Sequence, residues 1–221
     1  MAIVGNNIKY MENYAIKLME MADSLKDDPT IEVLYYSIFP GAVKWELDAV
    51  SESIGFRIEP CLEKFFSETN GFQLRWIYKS NPKYDPAVHY YHDEVFNDMD
   101  VRDWYLPDDG VINILPIRDI FIDDNWEDIV WSKEDKQYER VWLNQTFNLY
   151  ELMKSIRPFD IFSKERCMAF QIDQEKEKNN VVLLQCHYAN VTDSKIIDFQ
   201  IYMDFLVSKL GMVKERKMFS Q

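Results

Sequence analysis

The stretch KFFSETNGFQLRWIY, residues 64–78, changes period in its middle. Before Asn70-Gly71 the apolar residues recur three and four apart, the spacing of one helix face. After it they alternate, the spacing of a strand. Asn and Gly both tolerate positive φ, so this pair is expected to end the helix and reverse the chain. Beyond it Phe72, Leu74, Trp76 and Tyr78 fall on one strand face, and Gln73, Arg75 and Lys79 on the other, with Ile77 the exception. Such a strand packs one face on helices and leaves the other largely wet. The expected cover is the pair of helices carrying Phe65-Phe66 and Phe205-Leu206.

The flanking sequence extends this corner in both directions. Ile8, Met11, Ala15, Leu18, Ala22 and Leu25 keep a three/four spacing and predict a helix over 8–26. A short helix is expected over 30–39, stopped by Pro40-Gly41. Another is expected over 42–53, with Trp45, Ala49 and Val50 on one side and Gly55 past its end. Pro60 fits the first turn of the helix that presents Leu62, Phe65 and Phe66 to a core. Downstream, residues 80–110 show no clean period. Strands are expected over 111–115 and 137–147, and a helical turn over 116–120. Residues 121–135 remain ambiguous. Segments 167–172 and 181–188 read as a hairpin around DQEKEKNN. A helix over 198–210 turns Phe199, Tyr202, Phe205 and Leu206 inward, with Gly211 as its cap and the basic tail VKERKMFSQ frayed. Helices, then strands, then a final helix make an α+β arrangement: N-terminal helices, a central, mostly antiparallel twisted sheet covered by helices on one face, and a C-terminal helix.

Charge is the second constraint. The 221 residues carry a net charge of -13. Like charge repels a phosphate backbone, so nucleic acid is not an expected partner. Residues 85–128 hold thirteen acidic side chains against Arg102 and Arg118, which is -11 and leaves -2 for the rest of the chain. The longest plainly apolar run, VVLL at 181–184, is far short of the ~20 residues of a membrane-spanning helix. The N-terminus lacks a basic region followed by an apolar core, so no signal peptide is expected. Cys61, Cys167 and Cys186 are unclustered and read as buried thiols of a reducing compartment. These features together predict a cytoplasmic protein of one domain over 1–221, without membrane contact.

The sequence offers little to catalysis. Six glycines form no phosphate-binding loop, and no G-x-S-x-G elbow exists. His187 sits in an apolar strand pattern and reads as structural. His89 and His92, in HYYHDE with Asp93 and Glu94, supply donor atoms suited to zinc, but no second cluster is spaced to close a tetrahedral site. NDMDVRD begins like a calcium loop and then lacks the glycine at its sixth place and the glutamate at its twelfth. Asp108-Asp109 and Asp123-Asp124 could serve acid–base chemistry only in a cleft that raised their pKa values. In a polar loop they read as solvated. No catalytic residue, cofactor or metal is expected.

At the helix-to-strand corner the chain resembles the SUKH superfamily, which includes fungal regulators of cell-wall assembly and bacterial immunity proteins of polymorphic toxin systems. The matching elements are AVSESIGFRIEP, the helix with Phe65 and Phe66, and TNGFQLRW. INILPIRDI resembles the family's middle strand and short helix. The final hairpin and IIDFQIYMDFLVSKLG resemble its closing strands and helix. The likeness covers about 42–211, with 1–41 as a helical extension and 80–110 as an acidic insertion. Cys61-Leu62 stands after Pro60 where the family commonly has a polar-aromatic pair. The resemblance implies a non-catalytic α+β domain that binds a protein partner. For bacterial members that partner is a toxin, often a nuclease with a basic cleft. A negative patch speeds encounter with such a cleft. Asp93, Glu94, Asp98, Asp100, Asp103, Asp108 and Asp109 are therefore expected to border the partner-binding surface. Two alternatives stay open: a regulatory or scaffold protein of the same fold acting on an endogenous enzyme, and a hydrolase using the His89/His92 region.

Overall fold

The computed structural model describes residues 13–82, 109–123, 139–142, 145–148, 155–163, 166–185 and 194–219. The fold is α+β. Helix α1 (Tyr14–Lys26) leads into strand β1 (Ile31–Pro40), then α2 (Lys44–Ile54), α3 (Pro60–Glu68) and β2 (Thr69–Tyr78). After β3 (Gly110–Ile114) and the short α4 (Ile117–Phe121) comes a hairpin of β4 (Glu139–Trp142) and β5 (Gln145–Asn148). Strands β6 (Ile156–Ile161), β7 (Arg166–Asp173) and β8 (Lys178–Gln185) precede α5 (Phe199–Ser208) and a 3-10 turn, Lys214–Phe219. Six strands make one sheet in the order β1-β2-β3-β6-β7-β8, every neighbouring pair antiparallel.

The helix expected over 30–39 is strand β1. The sequence IEVLYYSIFP is rich in β-branched and aromatic residues, which favour a pleated surface over a helix. Its burial is intermediate nearly throughout, as suits an edge strand, so it offers no strong alternation to read. Val33, Tyr36 and Ile38 pair with Trp76, Leu74 and Phe72 and pack on the core, and the register slips between Val33 and Tyr35. Helix α1 begins at Tyr14, with the Asn13 side chain accepting from the Ile16 N–H at 3.0 Å. The start of the expected helix, 8–12, lies outside the described residues.

The Asn-Gly corner has a different mechanism from the one expected. Helix α3 ends at Glu68, and Thr69 is already extended at φ -147, so helix passes directly into strand without a reversal. Asn70 and Gly71 belong to β2. Gly71 does hold a positive φ of 120, and a Cβ there would stand 2.8 Å from the Ile114 carbonyl oxygen on β3. Asn70 turns its Oδ1 to the Ile117 N–H at 2.8 Å and so caps α4 from another element.

Phe72, Leu74 and Trp76 are fully buried, and Tyr78 is half-buried beside Trp76. The Trp76 indole donates to the Leu210 carbonyl at 2.7 Å, tying β2 to the end of α5. The other face of β2 is not wet. Arg75 and Ile77 are buried, as are Val111 and Asn113 on β3, and Gln73 donates to Asn113 Oδ1 at 3.0 Å. The core continues through stacked and edge-on rings. Phe159 of β6 lies 4.2 Å from Phe170 of β7, and both meet Phe199 of α5, which also meets Phe65 of α3.

Two further expectations are corrected. Trp45 does not face the core. Helix α2 buries Leu47, Val50 and Ile54 instead, and Trp45 is 60% exposed. The described part of the tail, up to Phe219, is not frayed: Arg216 and Phe219 are buried within the 3-10 turn. Gly55 caps α2 at a φ of 84, as expected, but α5 is capped at Lys209 and Leu210 already holds a positive φ of 54 before Gly211. Pro158, where β6 slips register against β7, explains why that strand leaves no clean pattern.

Candidate partner-binding site

Of the seven acids expected at a binding surface, Asp93, Glu94, Asp98, Asp100, Asp103 and Asp108 lie outside the described residues, as do His89, His92 and His187. Asp109 is described, and it does not fit the expectation. Its side chain is fully buried, and a carboxylate closed to solvent cannot meet a partner. Asp109 Oδ1 accepts from the Tyr78 N–H at 3.2 Å, and Oδ2 accepts from Asn81 Nδ2 at 2.7 Å. The Asp109 carbonyl accepts from the Val213 N–H at 3.1 Å. Burial of a carboxylate is tolerated only when such donors replace water.

This clamp has a topological consequence. Strands β2 and β3 are antiparallel neighbours, with Trp76 opposite Gly110. Asn81 stands just before residues 83–108 and Asp109 just after them. The segment that carries six of the seven expected acids therefore leaves and rejoins the sheet at one point, held by a buried side-chain bond. Sequence reasoning missed Asn81 because an Asn before a Pro reads as an ordinary turn residue.

A second buried polar cluster is centred on Asp160 of β6, the strand beside β3. Asp160 of β6 accepts from the Tyr202 hydroxyl, from Arg216 Nη2 at 2.8 Å and from the Asn113 N–H at 2.8 Å. Arg216 also donates to the Tyr202 oxygen at 3.1 Å and the Gly211 carbonyl at 2.8 Å, and lies over the Phe162 ring. Burial pushes the Tyr202 phenol well above its usual range, and the Asp160 charge adds to that. Burial works against the Arg216 charge, but Asp160 and Tyr202 outweigh it and hold the guanidinium protonated. With all three side chains at most 1% exposed, the cluster joins β6, α5 and the 3-10 turn rather than offering reactive groups to a ligand. One signal was available: a lone acid in the apolar run PFDIF. Arg216, among the charges of VKERKMF, had none.

Neither described thiol sits in surroundings that favour the thiolate. Cys167 is buried, and burial followed by the Glu59 charge pushes the half-buried Cys61 up, away from the thiolate. Among the described residues no three His, Cys, Asp or Glu side chains stand together as a metal would require. Also among them, no helix is long and apolar enough to cross a membrane. No protein-family model matches the chain, and no curated protein matches it.

Proposed function

We propose that the chain is a SUKH-like protein-binding domain that acts as an immunity protein in the cytoplasm, neutralising a cognate toxin by direct, non-catalytic binding. The partner is a basic domain, best matched by a nuclease. The observation that carries this reading is the charge distribution: residues 85–128 hold -11 of the net -13, and the 83–108 part is pinned at both ends by the Asn81–Asp109 bond. Concentrated charge on a rigid support steers an oppositely charged partner and rejects like-charged ones. Asp93, Glu94, Asp98, Asp100, Asp103 and Asp108 supply about half of that charge, and Asp109 anchors its base. The direct passage from α3 into β2, with Trp76 buried, supports the SUKH-like assignment.

The test is to look for a large toxin-like protein encoded beside this chain and to co-express the chain with that protein's C-terminal domain. The expected result is growth in the presence of an otherwise lethal domain, together with a stoichiometric complex on gel filtration. A domain that stays lethal and unbound overturns the reading.

A further inference from the structure

Helix α2 turns Leu47, Val50 and Ile54 to the core, which leaves Trp45, Asp48 and Glu52, at i, i+3 and i+7, on its outward side. A tryptophan at 60% exposure is a costly surface residue, and this one has a cation beside its ring. Arg118 of α4 lies over its ring, 5.4 Å from the centroid. Arg118 is in turn gripped by Asp123, with Nε to Oδ2 at 3.2 Å and Nη2 to Oδ1 at 3.1 Å. Val43, two residues earlier, is 49% exposed. A contact of this kind favours one orientation of the indole and so lessens the rotamer freedom that binding would take from it. Trp is also enriched among the few residues that dominate protein interfaces.

The charge around the ring selects the partner. Glu46, Asp48 and Glu52 of α2, with Asp119 and Asp123 of the α4 segment, face two cations, Lys44 and Arg118. The patch is an aromatic anchor within a negative field, complementary to a basic surface that offers an apolar socket.

We infer that the Trp45 surface of α2 and α4 is a docking site for the basic toxin domain, with the indole as anchor and the neighbouring carboxylates as its polar rim. This rests on the protein-binding reading above and extends it to a second surface. Strand β3 separates the two: the Asp109 clamp precedes its first residue, and α4 follows its last, about 14 Å away along the strand.

The experiment measures association and dissociation rates of the neighbouring-gene toxin domain on the full chain. Wild type is compared with Trp45→Ala, Trp45→Phe and the double variant Asp48→Asn, Glu52→Gln, each first checked for an unchanged thermal midpoint. Loss of an anchor acts on dissociation, and loss of rim charge on association. Trp45→Ala is expected to speed dissociation by at least about 30-fold, as a dominant interface residue does, with association changed less than about twofold. Trp45→Phe should fall between. The double variant should slow association several-fold at low salt and leave dissociation nearly unchanged. If wild type binds and Trp45→Ala leaves at the wild-type rate, this inference is overturned while the immunity reading stands. If wild type does not bind the domain at all, the immunity reading fails and this docking site fails with it.

Discussion

Trp76 is surrounded so closely that its neighbours were chosen for it. A Cβ on Gly110 would stand 2.0 Å from the indole nitrogen, while that nitrogen is already committed to Leu210. Two substitutions should therefore converge on one defect. Trp76→Ala opens a large cavity and should cost about 3–5 kcal/mol in denaturant unfolding. Gly110→Ala forces the ring out of place and should also destabilise by several kcal/mol. A Gly110→Ala variant as stable as wild type would mean the indole is free to move. The Asp160–Arg216 pair makes a different prediction. Removing either partner leaves a buried charge without its counter-ion, which costs about 3–5 kcal/mol. Asp160→Ala and Arg216→Ala should each show that loss, and the double variant much less than their sum. Additive losses in the cycle would show that the two side chains do not depend on each other.

At the level of elements, the sequence was most legible where the period is clear or where turn residues bound a short apolar run. Helices α2 and α3, strand β3, the β7–β8 hairpin and α5 all follow from periodicity and from Gly and Pro at their ends. Strand β1 was illegible because an edge strand with intermediate burial lacks a binary pattern. Trp45 was misplaced because a large apolar residue on a helix is by default assigned to a core. The candidate site was less legible still. Its acids could be counted, but the Asn81–Asp109 bond and the Arg118–Trp45 contact join residues 28 and 73 positions apart, and spacing says nothing about such pairs. The Asn-Gly corner was located correctly and explained wrongly: Asn70 serves α4, not α3. Asn70→Ala should accordingly leave α3 intact and cost about 1 kcal/mol, the value of a lost helix cap. Hydrogen exchange should place the weakened amides in α4. Loss of protection in α3 instead would restore the simpler reading of Asn70 as a helix stop.

For the whole molecule, the concentration of acidic residues over 85–128 sets the kinetics that the proposed function would show. Changing Asp98, Asp100 and Asp103 to asparagine should slow association with the basic partner proposed above and flatten its dependence on salt, because steering fades as the Debye length contracts to about 3 Å at 1 M. Stopped-flow rates at several ionic strengths would show this, and identical salt slopes for the two proteins would remove these acids from the encounter. The clamp at the base of that segment also bears on how such a protein changes over generations. The entropy of closing a loop grows only with the logarithm of its length, about 0.6 kcal/mol for each doubling. With Asn81 and Asp109 fastened to each other, β2 and β3 are nearly indifferent to what is threaded between them. Residues 83–108 can thus be lengthened, shortened or replaced wholesale by recombination while the sheet stays the same. Under the function proposed above, partner specificity could then change while β2 and β3 keep their pairing.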